Sequence, residues 1–459
     1  MARKSKKEAT LDGRETMIDA MFGGFGERLR EATNRSNAGI PSDETTGQLM
    51  GLPLPSFAAR ALFRTDAFPI GRTWELAGEE GSCKTSLLDE VIRWHCIYGG
   101  GGHISETENK DAATLRNGIL EWNPSWIKQR VHVTPCDALE EWQAATTFAM
   151  KDMRDRMDDP KLKIGRTVPF VLGVDSLTAV DTQSNIDDTL ECGHAKIGFS
   201  QMANLISRYM RQGPAKLMRD FPFTLIATNH MKPTVNKQGI KQDHVVGGKA
   251  IPFASTVRIY MYRVEDLDAT DYGGIRVKLK MQKNSAGASR CLPVQCNMIW
   301  FREQIPGYPE PMKRFVWDWH GATVSFILSL ADVKSRKTFY NEVIDVCGIR
   351  SANRGSQPRS YSTVLGIPKS DPQPDRIVSQ ELEKHPEILA QLYKMFDIEV
   401  LPKFKPGVDY RELMKGAELA SAKIAEDRYG PVESLPEIGE MKSTGRDLNE
   451  ADDEETGEE

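Results

Sequence analysis

Apolar residues are sparse over the first 50 positions. Only Met17, Met21, Phe22, Phe25 and Leu29 recur near a helical spacing, which predicts one amphipathic helix over Thr16 to Ala32, followed by a linker rich in Asn, Ser, Thr, Pro and Gly. From Leu52 onward, short apolar runs alternate with longer stretches of helical period. Strands are predicted at Thr73 to Ala77, Gly102 to Ser105, Val131 to Thr134, Phe170 to Asp175 and Phe223 to Thr228. Between them, helices are predicted at Leu87 to Tyr98, Ala112 to Trp122, Ala138 to Met157 and Ile197 to Met210. Val257 to Arg263 and Ile275 to Gln282 alternate like antiparallel strands added to a sheet edge. The alternation predicts an α/β fold, a mostly parallel sheet flanked by helices. Two polar stretches, Asp181 to Lys196 and Met231 to Val246, read as flexible loops. Beyond residue 330, Thr338 to Val346, Ile377 to Met395 and Tyr410 to Arg428 read as helices around a segment rich in Pro, Ser and Gly. The expected organisation is an arm and linker (1–50), a core (51–330), a small helical accessory domain (331–440) and a tail (441–459).

Composition changes this picture little: 39% hydrophobic and 27% charged residues are ordinary for a globular chain. No apolar run approaches the roughly 20 residues that span a bilayer, and no apolar segment follows the basic start Arg3, Lys4, Lys6, Lys7. No membrane association and a cytoplasmic location are expected. The seven cysteines include no C-x-x-C pair, so reduced thiols, no disulfide and no zinc are expected. Charge is more informative. Residues 441–459 hold eight acids against two bases, a net −6 in a chain of net −5, which leaves +1 on the remainder. Such a tail either competes with a polyanion for a basic groove or serves solubility alone.

Arg72 to Ser86, R-T-W-E-L-A-G-E-E-G-S-C-K-T-S, carries the chemistry. A strand enters a turn that closes on Lys84-Thr85, and a helix begins at Leu87. The pattern G-x-x-x-x-G-K-S/T curls successive backbone N–H groups around phosphate oxygens and points the helix N-terminus at them. Gly78, Glu79, Glu80, Gly81, Ser82, Cys83, Lys84, Thr85 and Ser86 form the expected nucleotide-binding loop, with Lys84 on the β/γ-phosphates and Thr85 on Mg²⁺. Cys83 stands where the pattern has its second glycine; a left-handed backbone there would cost about 1–2 kcal/mol. In open parallel sheets ligands sit beyond the carboxyl ends of the strands. Glu106, Glu108, Asp175 and His230 should all arrive at that edge. Asp175 would hold the metal, either Glu106 or Glu108 would orient a water, and His230 could touch the γ-phosphate. After His230, Lys232, Lys237, Lys241, Gly247, Gly248 and Lys249 offer charge and close backbone approach to a nucleic-acid phosphate chain. Lys283, at the sheet edge, could reach a nucleotide held by a neighbouring subunit or simply keep that edge basic.

The order of these pieces resembles the RecA-type recombinases, especially the divergent phage-encoded, UvsX-like branch, over roughly residues 65–330. The resemblance rests on F-P-I-G-R-T-W-E-L-A-G, E-T-E, V-L-G-V-D-S, L-I-A-T-N-H, V-V-G-G-K-A-I-P-F-A-S-T-V-R and K-M-Q-K-N-S, in that order. It implies a RecA-like P-loop ATPase core that uses ATP and Mg²⁺, with Lys84 and Thr85 as ligands, Asp175 as the Walker B acid and Glu108 as the catalytic glutamate. It further implies His230 as γ-phosphate sensor, Met231 to Val246 as the second DNA-binding loop, and Asp181 to Lys196 as the stretch containing the first. Lys283 would be the residue that reaches ATP across a filament interface, and Ser285 stands where a second such lysine is expected. The N-terminal arm would polymerise the chain, and the run Ser379 to Ile388 would belong to the C-terminal domain. The implied function is ATP-dependent pairing and exchange of single-stranded with homologous double-stranded DNA in a helical filament, aided by a single-strand binding protein and a loader. The location would be cytoplasmic, in the bacterial host if the chain is phage-encoded. A hexameric RecA-fold helicase and a non-hydrolysing mediator or scaffold are the alternatives.

Overall fold

In the computed structural model the described residues are 50–108, 118–119, 129–192, 199–212, 214–235, 241–245, 250–268, 272–285, 293–303, 311–328, 379 and 382–407. The helices expected at Thr16 to Ala32, Thr338 to Val346 and Tyr410 to Arg428, nearly all of Ala112 to Trp122, and the acidic tail lie outside them.

The chain adopts the α/β class that its pattern predicts. A small antiparallel pair comes first, β1 (Gly51–Pro53) with β2 (Ala67–Pro69), joined by α1 (Phe57–Phe63). Ser56 caps α1 by accepting from the Ala59 N–H. Among the described residues the main sheet has ten strands. Its parallel part runs in the order β9 (Val257–Asp268), β3 (Thr73–Gly78), β7 (Phe223–Val235), β6 (Phe170–Asp175), β4 (Gly101–Glu106), β5 (Val131–Pro135). Beyond β9 the sheet continues antiparallel through β10 (Gly273–Asn284), β11 (Val294–Glu303) and β12 (Met312–Trp317).

Alternation along each strand divides the core in two, because successive side chains point to opposite faces. On one face Trp74, Leu76, Ile104, Val171, Ile226, Ile259 and Met261 pack with Leu87, Leu88 and Val91 of α2 (Lys84–Ile97). On the other, Leu172, Val174, Phe223, Leu225 and Ala227 pack with Leu139 and Trp142 of α3 (Leu139–Asp158) and Ile206 and Met210 of α5 (Phe199–Gln212). β3, β4 and β6 are buried on both faces along their whole length, so their carboxyl ends are held rigidly.

Three segments differ from expectation. The stretch read as a flexible loop at Asp181 to Lys196 contains a helix, α4 (Gln183–Cys192). Thr182 starts it, its hydroxyl accepting the Asn185 N–H at 3.2 Å. The helix expected from Ile377 to Met395 is broken, and α9 (Pro386–Phe396) starts afresh with Pro386 at its first position. Proline disfavours a helical backbone in the residue before it, and its own missing N–H costs nothing at a helix start. Third, β7 does not stop at Thr228. It runs on through Met231 to Val235, which pair antiparallel with β8 (Lys241–Val245) in the register Met231↔Val245 and Val235↔Lys241. Part of the expected mobile loop is therefore a hairpin, and it does pack: Met231 and Val245 are buried with Ala77 against Tyr260 and Tyr262.

α8 (Trp319–Leu328) and α9 close the α1 side. The Phe396 ring lies 6.1 Å from Phe57 and 5.1 Å from Phe326, and Ile388 and Leu392 join the same cluster. Two shorter helices, α6 (Pro214–Asp220) and α7 (Ala250–Ala254), precede β7 and β9.

Candidate nucleotide-binding site

β3 leads straight into the loop. Its last residue, Gly78, sits opposite His230 of β7 and Met261 of β9. A Cβ there would stand 2.3 Å from Ser82 Oγ and 2.6 Å from the Met261 carbonyl, so only glycine fits. Ser82 donates from its hydroxyl to the Glu79 carbonyl at 2.7 Å and tightens the turn. Gly81 (φ +71°) and Cys83 (φ 64°, ψ 31°) both adopt the left-handed conformation, Cys83 at the N-cap of α2. The sequence departure thus falls on a position that needs a positive φ. Burial pushes the Cys83 thiol up to about 12, against the pull of nearby Arg263 and Lys84. The thiol is neutral at physiological pH and adds no negative charge to the loop.

Lys84 is nearly buried, and its Nζ donates to the carbonyls of Gly78 at 3.1 Å and Glu79 at 2.7 Å. Thr85 Oγ1 donates to Asp175 Oδ2 at 2.6 Å, tying the first turn of α2 to the end of β6. Asp175, only 2% exposed, also accepts from Thr228 Oγ1 through its other oxygen at 2.5 Å. Ser86 turns away from this site: its hydroxyl and carbonyl accept from Trp317 Nε1 at 3.0 and 3.2 Å, which anchors α2 to β12. Glu79 contributes its carbonyl to the loop, and Glu80 is exposed.

Both candidate glutamates come to the same edge. Glu106 ends β4 in register with Asp175, on the α2 face, and is 6% exposed. Two residues on, Glu108 Oε1 accepts from His230 Nε2 at 2.8 Å and from the Ser176 hydroxyl. A carboxylate only accepts, so the His230 proton sits on Nε2. Thr107 buttresses the pair, donating its N–H to the Asp175 carbonyl at 2.9 Å and its hydroxyl to that of Ser176 at 2.6 Å. The sheet therefore gathers Lys84, Thr85, Asp175, Glu106, Glu108 and His230 into one cluster.

Other predicted residues lie apart or out of view. Lys283 pairs in register with Arg258, beside Glu75, three residues before the Gly78 end of β3 and so roughly 10 Å back along the sheet. Its Nζ donates to the Pro252 carbonyl at 3.2 Å. Lys232 and Lys241 lie in the β7–β8 hairpin, whereas Lys237, Gly247, Gly248 and Lys249 fall outside the described residues. Sequence reasoning missed Thr228 and Ser176. Thr228 could have been found from strand alternation, since it shares a face with His230 two residues later.

Two hard oxygens joined across a part-buried contact, Thr85 and Asp175, suit Mg²⁺, which takes one or two protein oxygens and completes its shell with water and phosphate. Among the described residues no group of three or more His, Cys, Asp or Glu could hold a metal ion alone.

No protein-family model matches the chain. Individual proteins do. The RecA protein of Lactobacillus delbrueckii subsp. bulgaricus is 24% identical over 283 residues, covering 61% of this chain and 75% of the relative. That of Lactobacillus acidophilus is 25% identical over 283 residues (61% and 68%), and that of a Nocardioides species 26% over 280 residues (61% and 70%). These low-identity matches support a RecA-type recombinase.

Proposed function

We propose that this chain is a DNA-dependent ATPase that assembles as a helical filament on single-stranded DNA and pairs that strand with homologous duplex. The observation that carries the reading is the Thr85–Asp175 hydrogen bond beside Lys84, with the Glu108–His230 pair at the next strand end. Lys84 and the loop N–H groups hold the β/γ-phosphates, exchanging the Gly78 and Glu79 carbonyls for phosphate oxygens. Thr85 and Asp175 hold Mg²⁺, which when bound neutralises charge on those oxygens. Thr228 fixes Asp175 from below, so the carboxylate faces the loop without rearrangement. Glu108 is the preferred water-orienting carboxylate because it touches His230, the residue positioned to register the γ-phosphate; Glu106, beside Asp175, is the comparison for any test. His230 holds Glu108 through its Nε2 and gives it up on turning to the γ-phosphate, so hydrolysis waits on binding. Lys232, two residues after His230 on β7, and Lys241, at the start of β8, contact the DNA backbone. Lys283, set back from its own loop, serves the nucleotide of an adjacent protomer. Cys83, at the position of the loop's second glycine, is the feature that favours the divergent phage-encoded branch.

The test is ATP turnover with and without single-stranded DNA. Stimulation by DNA that disappears in Lys84→Ala is expected; turnover no higher than that of Lys84→Ala would instead favour a non-hydrolysing scaffold.

A further inference from the structure

A carboxylate lies inside the sheet. Glu75, in β3, has no exposed surface, and a buried charge persists only where partners replace its lost hydration. Its partners are Arg258 Nε from β9 and Asn229 Nδ2 from β7, the latter at 3.0 Å. Arg258 also donates to the Tyr260 hydroxyl at 3.2 Å. Asn229, likewise fully buried, turns its Oδ1 to the backbone N–H of His230 at 3.0 Å. The amide cannot be reversed, because Glu75 accepts only and the His230 N–H donates only.

Strand alternation gives this chain of contacts a direction. Glu75, Ala77, Asn229, Met231, Arg258 and Tyr260 occupy one face of the sheet, while Thr228 and His230 share the α2 face with Asp175. Asn229 therefore grips the main chain of His230 from the side opposite its imidazole. On the Asn229 face the next layer is the apolar seat of the hairpin, Ala77, Met231 and Val245 against Tyr260 and Tyr262. From Glu108 to the hairpin every step is a hydrogen bond or a packing contact: His230, Asn229, Glu75, Arg258, Tyr260, then Met231 and Val245.

We infer that Asn229 is a positioning residue that carries a change at His230 through the sheet to the β7–β8 hairpin, with the buried Glu75–Arg258 pair as the fixed base it works against. This rests on the reading that the site takes MgATP and the hairpin meets single-stranded DNA. Without Asn229 the His230 N–H loses its side-chain acceptor, and the side-chain route from the imidazole to the hairpin is cut. Nucleotide binding, made by the loop and Asp175, is left nearly intact.

The experiment uses the full chain and two binding measurements, a fluorescent non-hydrolysable ATP analogue with Mg²⁺, and anisotropy of a labelled oligo-dT with and without saturating analogue. In the unaltered protein the analogue should tighten DNA binding about tenfold or more. Asn229→Ala, which leaves the Glu75–Arg258 pair in place, should bind the analogue within about threefold of the unaltered protein and lose most of the tightening. Should Asn229→Ala fail to fold, Tyr260→Phe decides, since it keeps the ring on Met231 and Val245 but drops the link to Arg258; reduced tightening supports the inference and full tightening overturns it. Undiminished tightening in Asn229→Ala overturns the inference alone, and loss of both affinities overturns it in favour of a structural role. If the unaltered protein binds neither analogue nor DNA, the functional reading falls and this inference falls with it.

Discussion

Cys83 shows how a single backbone angle sets a constraint. Its φ of 64° lies where side chains other than glycine are strained, and the loop tolerates it because Gly78, Ser82 and Gly81 shape the rest of the turn. Cys83→Gly relieves the strain but adds unfolded-chain entropy, so it should leave stability within about 1 kcal/mol of the parent. Cys83→Val places a β-branched side chain at the same angle and should cost about 1–2 kcal/mol more than Cys83→Gly. Urea denaturation of both variants checks the order; equal stability of the two would mean the left-handed angle is not kept in solution. The turn closing on Lys84 and Thr85 was legible in the sequence because such a loop is local, its residues placed by their neighbours in the chain, whereas the left-handed angle at Cys83 was raised there only as a condition. Thr228, Ser176 and Asn229 were not. They become neighbours of Asp175, Glu108 and Glu75 only through sheet register and long-range contact, which one-dimensional spacing does not encode.

At the scale of elements, α2 and its surroundings carry a pH dependence. His95, in the last turn of α2, is fully buried against Phe68, and burial lowers its pKa from 6.5 to about 4 although its Nδ1–H donates to the Val91 carbonyl. The unfolded chain therefore takes up this proton first. Stability should fall as pH drops from about 6.5 to about 4 and then level off, by about 3 kcal/mol from this residue alone. His103, its pKa also lowered mainly by burial, acts in the same direction. Urea melts at pH 7 and pH 5 should show this slope, and His95→Leu should flatten it. α9 makes a second prediction. Phe396 is nearly buried between Phe57 and Phe326, so Phe396→Ala should destabilise the core by about 3–5 kcal/mol and lower its Tm, as measured by calorimetry. Strands such as Phe170–Asp175 were legible to the residue because they are continuous apolar runs buried on both faces. The β7–β8 hairpin was not, since its few apolar residues, Met231 and Val245, are buried by Ala77, Tyr260 and Tyr262 from distant strands.

Across the whole molecule, the parallel strands bring the carboxylates of Asp175, Glu106 and Glu108, the Thr85 hydroxyl, the Lys84 ammonium and the His230 imidazole to a common edge, and they continue the imidazole's strand into a lysine-bearing hairpin. The hairpin's apolar side lies on the face opposite α2, yet His230 and Met231 are successive residues of one strand, so the candidate nucleotide site and the hairpin are joined by covalent backbone as well as by side chains. This architecture follows from the β/α alternation legible in the chain; the helicase alternative shares it, because assembly depends on surfaces between protomers rather than on the sheet. Electron microscopy of the full chain with MgATP and long single-stranded DNA tests the central claim most directly. Continuous open helical filaments that require the nucleotide and are lost in Lys84→Ala are the predicted result. Closed hexameric rings, or no assembly on DNA, would contradict it.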